Sequence, residues 1–145
     1  MNITDALIRL AVAIVLSGVV GVERYLSGKP AGVRTYMLVG MGVTLFLIVA
    51  QMSGLDVGRV SAGVITGVGF LGAGAIIRQQ GEVLGLTTAA SIWAVAGIGI
   101  AVARGLWVLA IVVAFTVLII LWGLEAAEQK FGKVLKNRRH GHKDK

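Results

Sequence analysis

Long apolar runs that carry almost no charge, separated by short loops that carry most of it, constrain this chain more than any single motif. The runs fall at about Ala6–Val22, Tyr36–Met52, Val60–Ile77, Leu86–Ala103 and Gly105–Leu124. Each is close to the ~17–25 residues that a helix needs to cross a bilayer. Over 145 residues, 57% are hydrophobic, only 14% are charged, and the mean hydropathy is +0.88. A water-soluble domain of this size could not bury that much apolar surface. The expected fold is therefore all-α and integral to a membrane, one compact bundle of about five transmembrane helices over residues 1–124, with a short basic tail over 125–145. Four or six crossings stay open as alternatives. Arg9 shortens the first run, and only Arg104–Gly105 separates the fourth from the fifth. Asp5 spoils the basic start of a signal peptide, so the first run reads as an uncleaved span.

Lysine and arginine set the orientation. With the amino terminus outside, Arg9, Arg59 and Arg104 face outward, and the other eleven of the fourteen basic residues face the cytoplasm. The net charge of +7 is then mostly a cytoplasmic tail facing anionic lipid, with no nucleic acid implied. After Trp122, the residues Leu124, Ala127, Phe131 and Leu135 share one helical face, which suggests a short interfacial helix and then a disordered basic end. Trp107 and Trp122 suit interface anchors.

The chain holds 21 glycines and one proline, Pro30, so glycine here marks helix packing and not loops. Gly63 and Gly67 have the close-contact spacing, and Gly69, Gly72 and Gly74 extend it. This predicts that the third span is central and permits self-association into a homo-oligomer. The layout also repeats at an offset of 53 or 54. Arg24 precedes Gly32-Val33-Arg34-Thr35, and Arg78 precedes Gly85-Leu86-Thr87-Thr88. Either two hairpins form a parallel repeat, or Gly and Thr simply recur at hairpin ends. In the first case Thr35, Thr87 and Thr88 mark two helix starts, capped by Thr35 and Thr88, whose N–H groups favour anions.

Charges close to a membrane core are default functional candidates, because burying them is costly. Asp5 and Arg9 sit four apart and can form an outer-edge pair. Glu23, Arg24, Lys29 and Arg34 crowd the first inner loop. Arg78 and Glu82 could bridge across their own loop or reach Glu23 and Arg34, giving a cytoplasmic charge network. Enzyme signatures are missing, and Ser91 has no nearby histidine in the sequence to activate it. Without cysteine, and with His140 and His142 confined to the tail, no cofactor or metal centre is expected. Asp5, Glu23, Asp56 and Glu82 all lie near span ends, which argues against a dedicated magnesium pore. A filter of backbone carbonyls stays open.

Two segments, GVERYLSGKPAGVRTYMLVGMG and GVGFLGAGAIIR…GLTTAASIWAVAGIGIA, resemble the MgtC/SapB family of bacterial inner-membrane proteins, over about Asp5 to Ala103. The resemblance implies a multi-pass inner-membrane protein linked to magnesium-limited growth and, in pathogens, to survival inside macrophages. It also implies regulation of other membrane machinery, including the proton-translocating ATP synthase. Its motifs fall here on Asp5, Arg9, Glu23, Arg24, Lys29, Pro30, Gly32, Arg34 and Thr35, and then on Gly69, Phe70, Gly72, Gly74, Arg78, Thr87, Thr88 and Trp93. Many relatives carry a soluble carboxyl-terminal domain, whereas about twenty residues follow the last span here, fewer than the ~40 that fold alone. The expected function is a non-enzymatic regulator that docks through its cytoplasmic Arg/Glu face. The alternative is a transporter or channel for magnesium or a small anion.

Overall fold

The computed structural model describes residues 1–79 and 82–140. Five helices and one small hairpin follow one another: α1 (Ile3–Leu26), α2 (Val33–Met52), α3 (Val57–Gly74), β1 (Ile77–Gln79), β2 (Glu82–Leu84), α4 (Leu86–Ala103) and α5 (Trp107–His140). Helices α1 to α4 are long and apolar enough to cross a membrane, and α5 has a shorter apolar stretch over Trp107–Gly123. The chain thus forms an antiparallel helical membrane bundle. One end gathers the α1–α2 turn, the β-hairpin and the start of α4, and is here called the hairpin end. The other gathers Asp5 and the α2–α3 and α4–α5 turns. Beyond Gly123, α5 continues as helix through the expected domain boundary at 124, and the last five residues of the tail, His142 among them, lie outside the described residues.

Local chemistry sets the helix ends. Asn2 caps α1 by accepting from the Asp5 N–H at 2.8 Å, and Asp56 caps α3 by accepting from Gly58 and Arg59 at 2.9 and 3.2 Å. Thr35 and Thr88 do not cap α2 and α4. Those helices start at Val33 and Leu86, their cap residues are Gly32 and Gly85, and neither makes a side-chain cap bond. Gly85 is required twice over. Its φ is +88°, and a Cβ there would lie 1.9 Å from the Ala75 carbonyl oxygen.

The core also differs from the expectation of a central third span. Helix α4 is central, with 56% of its apolar window buried, against 11% for α3. Gly63, Gly67, Gly69 and Gly74 each have open space where a Cβ would stand, and only Gly72 touches a neighbour, Ala89 of α4. Gly63 and Gly67 instead line an open groove between α2 and α3, facing Leu38, Val39, Gly42 and Phe46. The close approach occurs among α1, α2 and α4. A Cβ on Gly21 would lie 2.7 Å from the Val33 Cα, one on Gly40 would lie 2.7 Å from the Ser17 Cβ, and one on Gly99 would lie 2.9 Å from the Gly40 carbonyl oxygen. Thr44 Oγ1 donates to both Gly40 O and Gly99 O, at 2.8 and 3.0 Å, and ties α2 to α4 where their backbones meet.

The third apolar run does not stay helical to Ile77. Helix α3 ends at Gly74, and Ile77–Gln79 pairs antiparallel with Glu82–Leu84. Glycine weakens the end of the helix and the β-branched Ile76–Ile77 favour extended backbone, a change that hydropathy alone does not register. The two hairpins consequently differ. The first closes through a short turn and packs tightly, whereas the second contains the β-hairpin.

Gly40→Val and Gly99→Val should each force the α1–α2–α4 contacts apart and destabilise the bundle by about 1–3 kcal/mol or more. Gly67→Ala, in open space, should be neutral or stabilising by about 0.5–1 kcal/mol. Unfolding of the purified protein from mild detergent into denaturing detergent measures both.

Candidate functional site

At the hairpin end, α1 delivers Arg24 into the bundle with 1% of its surface exposed. A buried arginine at membrane depth requires a partner. Its Nε and Nη2 donate to the two carboxylate oxygens of Glu23, and Ser27 Oγ donates to the same carboxylate at 2.9 Å. Glu23 is half-buried, so the pair is an internal strut and not a surface bridge. Beside it, the Tyr36 hydroxyl and Ser91 Oγ lie 2.6 Å apart, and Ser91 donates onward to the Thr88 carbonyl at 2.9 Å. With the Ser91 proton committed to Thr88, Tyr36 acts as the donor. The start of α2 is thereby joined to the start of α4 through buried hydroxyls. Ser91 is 3% exposed and serves this join.

A cavity of about 680 Å³ opens next to these groups. Arg24, Lys29, Pro30, Thr87 and Thr88 line it together with Ile77, Leu84, Ile120 and Leu121. Arg34 and Thr35 stand apart, at a shallower pocket of about 420 Å³ with Tyr25, Gly32 and Val33. The two helix starts therefore do not form one shared site. Arg34, Arg78 and Glu82 are exposed, and among the described residues none of the three forms an ion pair. The strand register separates Arg78 from Glu82. Arg78 is opposite Val83 and Glu82 opposite Gln79, so the two charges point to opposite faces of the hairpin. Of the charge network expected across the loops, the structure shows the Glu23–Arg24–Ser27 cluster, while Arg34, Arg78 and Glu82 are exposed and outside any ion pair among the described residues.

The opposite end is organised around Arg9. It pairs with Asp5 at 3.0 Å, donates to the Ala103 carbonyl at 2.6 Å, and lies 5.6 Å from the centre of the Trp107 ring. Gln51 donates to the same carbonyl at 3.0 Å. Two side chains thus satisfy the carboxyl end of α4, and the guanidinium complements its dipole. Gly105 completes the turn because its backbone is left-handed, at φ +73°. The sequence signal for this cluster stopped at the Asp5/Arg9 spacing. Gln51 and the Ala103 carbonyl come from distant segments and carried no local mark, and Trp107 was marked as an interface anchor, not as a partner of Arg9.

Among the described residues, no three His, Cys, Asp or Glu side chains gather where they could hold a metal ion.

A bundle of apolar helices with its charges held at the two ends defines a multi-pass helical membrane protein. The MgtC family profile matches residues 10–130, and the chain belongs to the MgtC family. It is 42% identical over 127 residues to the Escherichia coli K12 protein named "Putative magnesium transporter YhiD", a match that covers 81% of this chain and 59% of that protein. It is 37% identical over 137 residues to protein SrpB of Synechococcus elongatus, covering 83% of this chain and 75% of SrpB. It is 40% identical over 95 residues to protein MgtC of Salmonella typhimurium LT2, covering 65% of this chain and 41% of that protein. The chain therefore spans about three-fifths of the length of the Escherichia coli relative. No solved structure matches it significantly.

Glu23→Ala should strip the buried Arg24 of its bidentate partner and destabilise the protein by on the order of 3 kcal/mol. Tyr36→Phe, which removes one buried hydrogen bond, should cost about 1 kcal/mol. Chemical denaturation in detergent should therefore rank Glu23→Ala well below Tyr36→Phe.

Proposed function

We propose that this chain is a non-enzymatic protein of the bacterial inner membrane that supports adaptation to low magnesium by docking onto other membrane proteins through its hairpin end. In this reading the amino terminus lies outside and the carboxyl end in the cytoplasm, as the distribution of lysine and arginine favours. Magnesium enters from the relatives, since the Escherichia coli protein carries magnesium transport in its name. The observation that carries the docking reading is the contrast between core and end. The helices close on one another through Gly21, Gly40 and Gly99, while Arg34, Arg78 and Glu82 project from one end outside any ion pair among the described residues. Side chains held outside the packed structure are available to a partner, and arginine is the residue best suited to charge-assisted recognition. Integral-membrane machinery such as the ATP synthase, embedded in anionic lipid, is the class of partner the family resemblance implies.

Ion transport is the second reading, for magnesium or a small anion. The name of the Escherichia coli relative favours the first cargo. The cavity at the start of α4, lined by Arg24 and Lys29, favours the second.

Arg34→Ala and Arg78→Ala should each abolish growth support under magnesium limitation while membrane insertion and abundance stay unchanged. Both residues are exposed, so neither change disturbs the core. Complementation of a deletion strain, with immunoblotting of the membrane fraction, measures this. Full growth by both variants at normal abundance would refute the docking assignment.

A further inference from the structure

The cavity beside Thr88 holds donors for which the protein supplies no acceptor. Helix α4 opens on it, with Gly85, Leu86, Thr87 and Thr88 all in its lining. Ala89 donates its N–H to the Gly85 carbonyl at 2.9 Å and is the first residue of α4 bonded in this way. The N–H groups of Leu86, Thr87 and Thr88 precede that first closed turn. Among the described residues, neither a cap side chain nor a backbone carbonyl takes them.

A second observation comes from a side chain. Thr88 is 2% exposed, and its carbonyl accepts from Ser91, but its hydroxyl makes no hydrogen bond among the described residues. Nor is that hydroxyl sealed in. Among the described residues, Ser17 Oγ alone is both sealed and unpartnered. The Thr88 hydroxyl therefore opens onto the cavity that it lines. A buried hydroxyl without a partner is costly. Three amides and one hydroxyl thus call for the same occupant, a group of accepting oxygen atoms.

The rest of the lining defines what carries those oxygens. Ile77 and Leu84 are partners in the strand register and share one face of the hairpin. With Ile120 and Leu121 of α5 they make the lining apolar away from the helix start. The volume of about 680 Å³ falls within the ~300–1,000 Å³ of pockets that enclose a whole organic ligand. A helix start favours an anionic oxygen group, phosphate above all. Arg24 and Lys29 also border the cavity but are already engaged, so amide and hydroxyl donors define the site and free charge does not.

We propose that this cavity binds a phosphate-bearing amphiphile. Its phosphate oxygens accept from the start of α4 and from the Thr88 hydroxyl, and its apolar part lies along Ile77, Leu84, Ile120 and Leu121. For a membrane protein, phospholipid is the ready source of such a molecule. The proposal concerns occupancy and not passage, and it rests neither on docking through Arg34 and Arg78 nor on transport.

Native mass spectrometry of the full chain in phosphate-free detergent tests it with three probes, each added alone. These are dioleoylphosphatidic acid, dioleoylglycerol, which has the same chains and no phosphate, and inorganic phosphate. We expect phosphatidic acid to be retained about tenfold better than dioleoylglycerol. Thr88→Val, which keeps the side-chain shape and removes the hydroxyl, should weaken that binding by about tenfold, and Thr88→Ser should restore it to within about twofold. Equal retention of the two lipids, no retention of phosphatidic acid, or retention indifferent to Thr88→Val would overturn the proposal. Tight binding of inorganic phosphate alone, lost in Thr88→Val, would keep the phosphate site and overturn the amphiphile. Because binding is read on the isolated protein, the result is separate from the growth test of docking.

Discussion

Close backbone approach among α1, α2 and α4 is the constraint on which the rest of the molecule depends. Inside a bilayer the hydrophobic effect does not draw helices together, since lipid tails are as apolar as leucine. What remains is tight packing and the satisfaction of polar groups. Gly21, Gly40 and Gly99 let the helices meet at distances that any side chain would forbid, and Thr44 places one hydroxyl between two carbonyl oxygens at that meeting point. Ser17 packs its hydroxyl against Gly40 in the same seam. The seam leaves no space for charge, and charge is accordingly displaced to the two ends.

Each end deals with its charge differently. Around Arg9 the groups are closed on one another. A carboxylate, a helix-terminal carbonyl and an indole ring occupy the guanidinium, and the result ties α1 to the α4–α5 turn. Around Arg24 the closure is partial. Glu23 and Ser27 hold the buried arginine, Tyr36 and Ser91 hold the neighbouring helices, and a cavity bordered by the β-hairpin and two exposed arginines lie beyond them. One end behaves as structure and the other as surface.

Much of the class and outline could be read from the sequence because they follow from quantities that add along the chain. Hydropathy located four membrane-length helices and the apolar part of a fifth, and the paired motifs pointed to the family. Contacts between distant segments could not be read in the same way. The Gly63/Gly67 spacing is a sound packing signal, yet spacing does not say whether a partner helix is present, and here that face opens on a groove. The glycines that do pack, Gly40 and Gly99, sit on different helices, and nothing local distinguishes them from the rest. Thr35 and Thr88 read as caps because threonine is a good cap, but the preceding glycines already supplied the backbone geometry. The Tyr36–Ser91–Thr88 join spans 55 residues at its longest step and had no sequence signature. The β-hairpin was absorbed into an apolar run because Ile76 and Ile77 are as hydrophobic in a strand as in a helix.

The arrangement points to a protein whose core is a closed scaffold and whose hairpin end meets its surroundings. On the proposed reading this scaffold carries no ion across by itself, and transport is the reading that competes with it. The most direct measurement is flux of magnesium and of phosphate, each under an imposed potential, into liposomes holding the purified, correctly inserted protein. This account predicts uptake no greater than in protein-free liposomes for both ions. Sustained uptake of either, reduced when Arg78 or Arg24 is replaced, would contradict it and make the bundle a transport path.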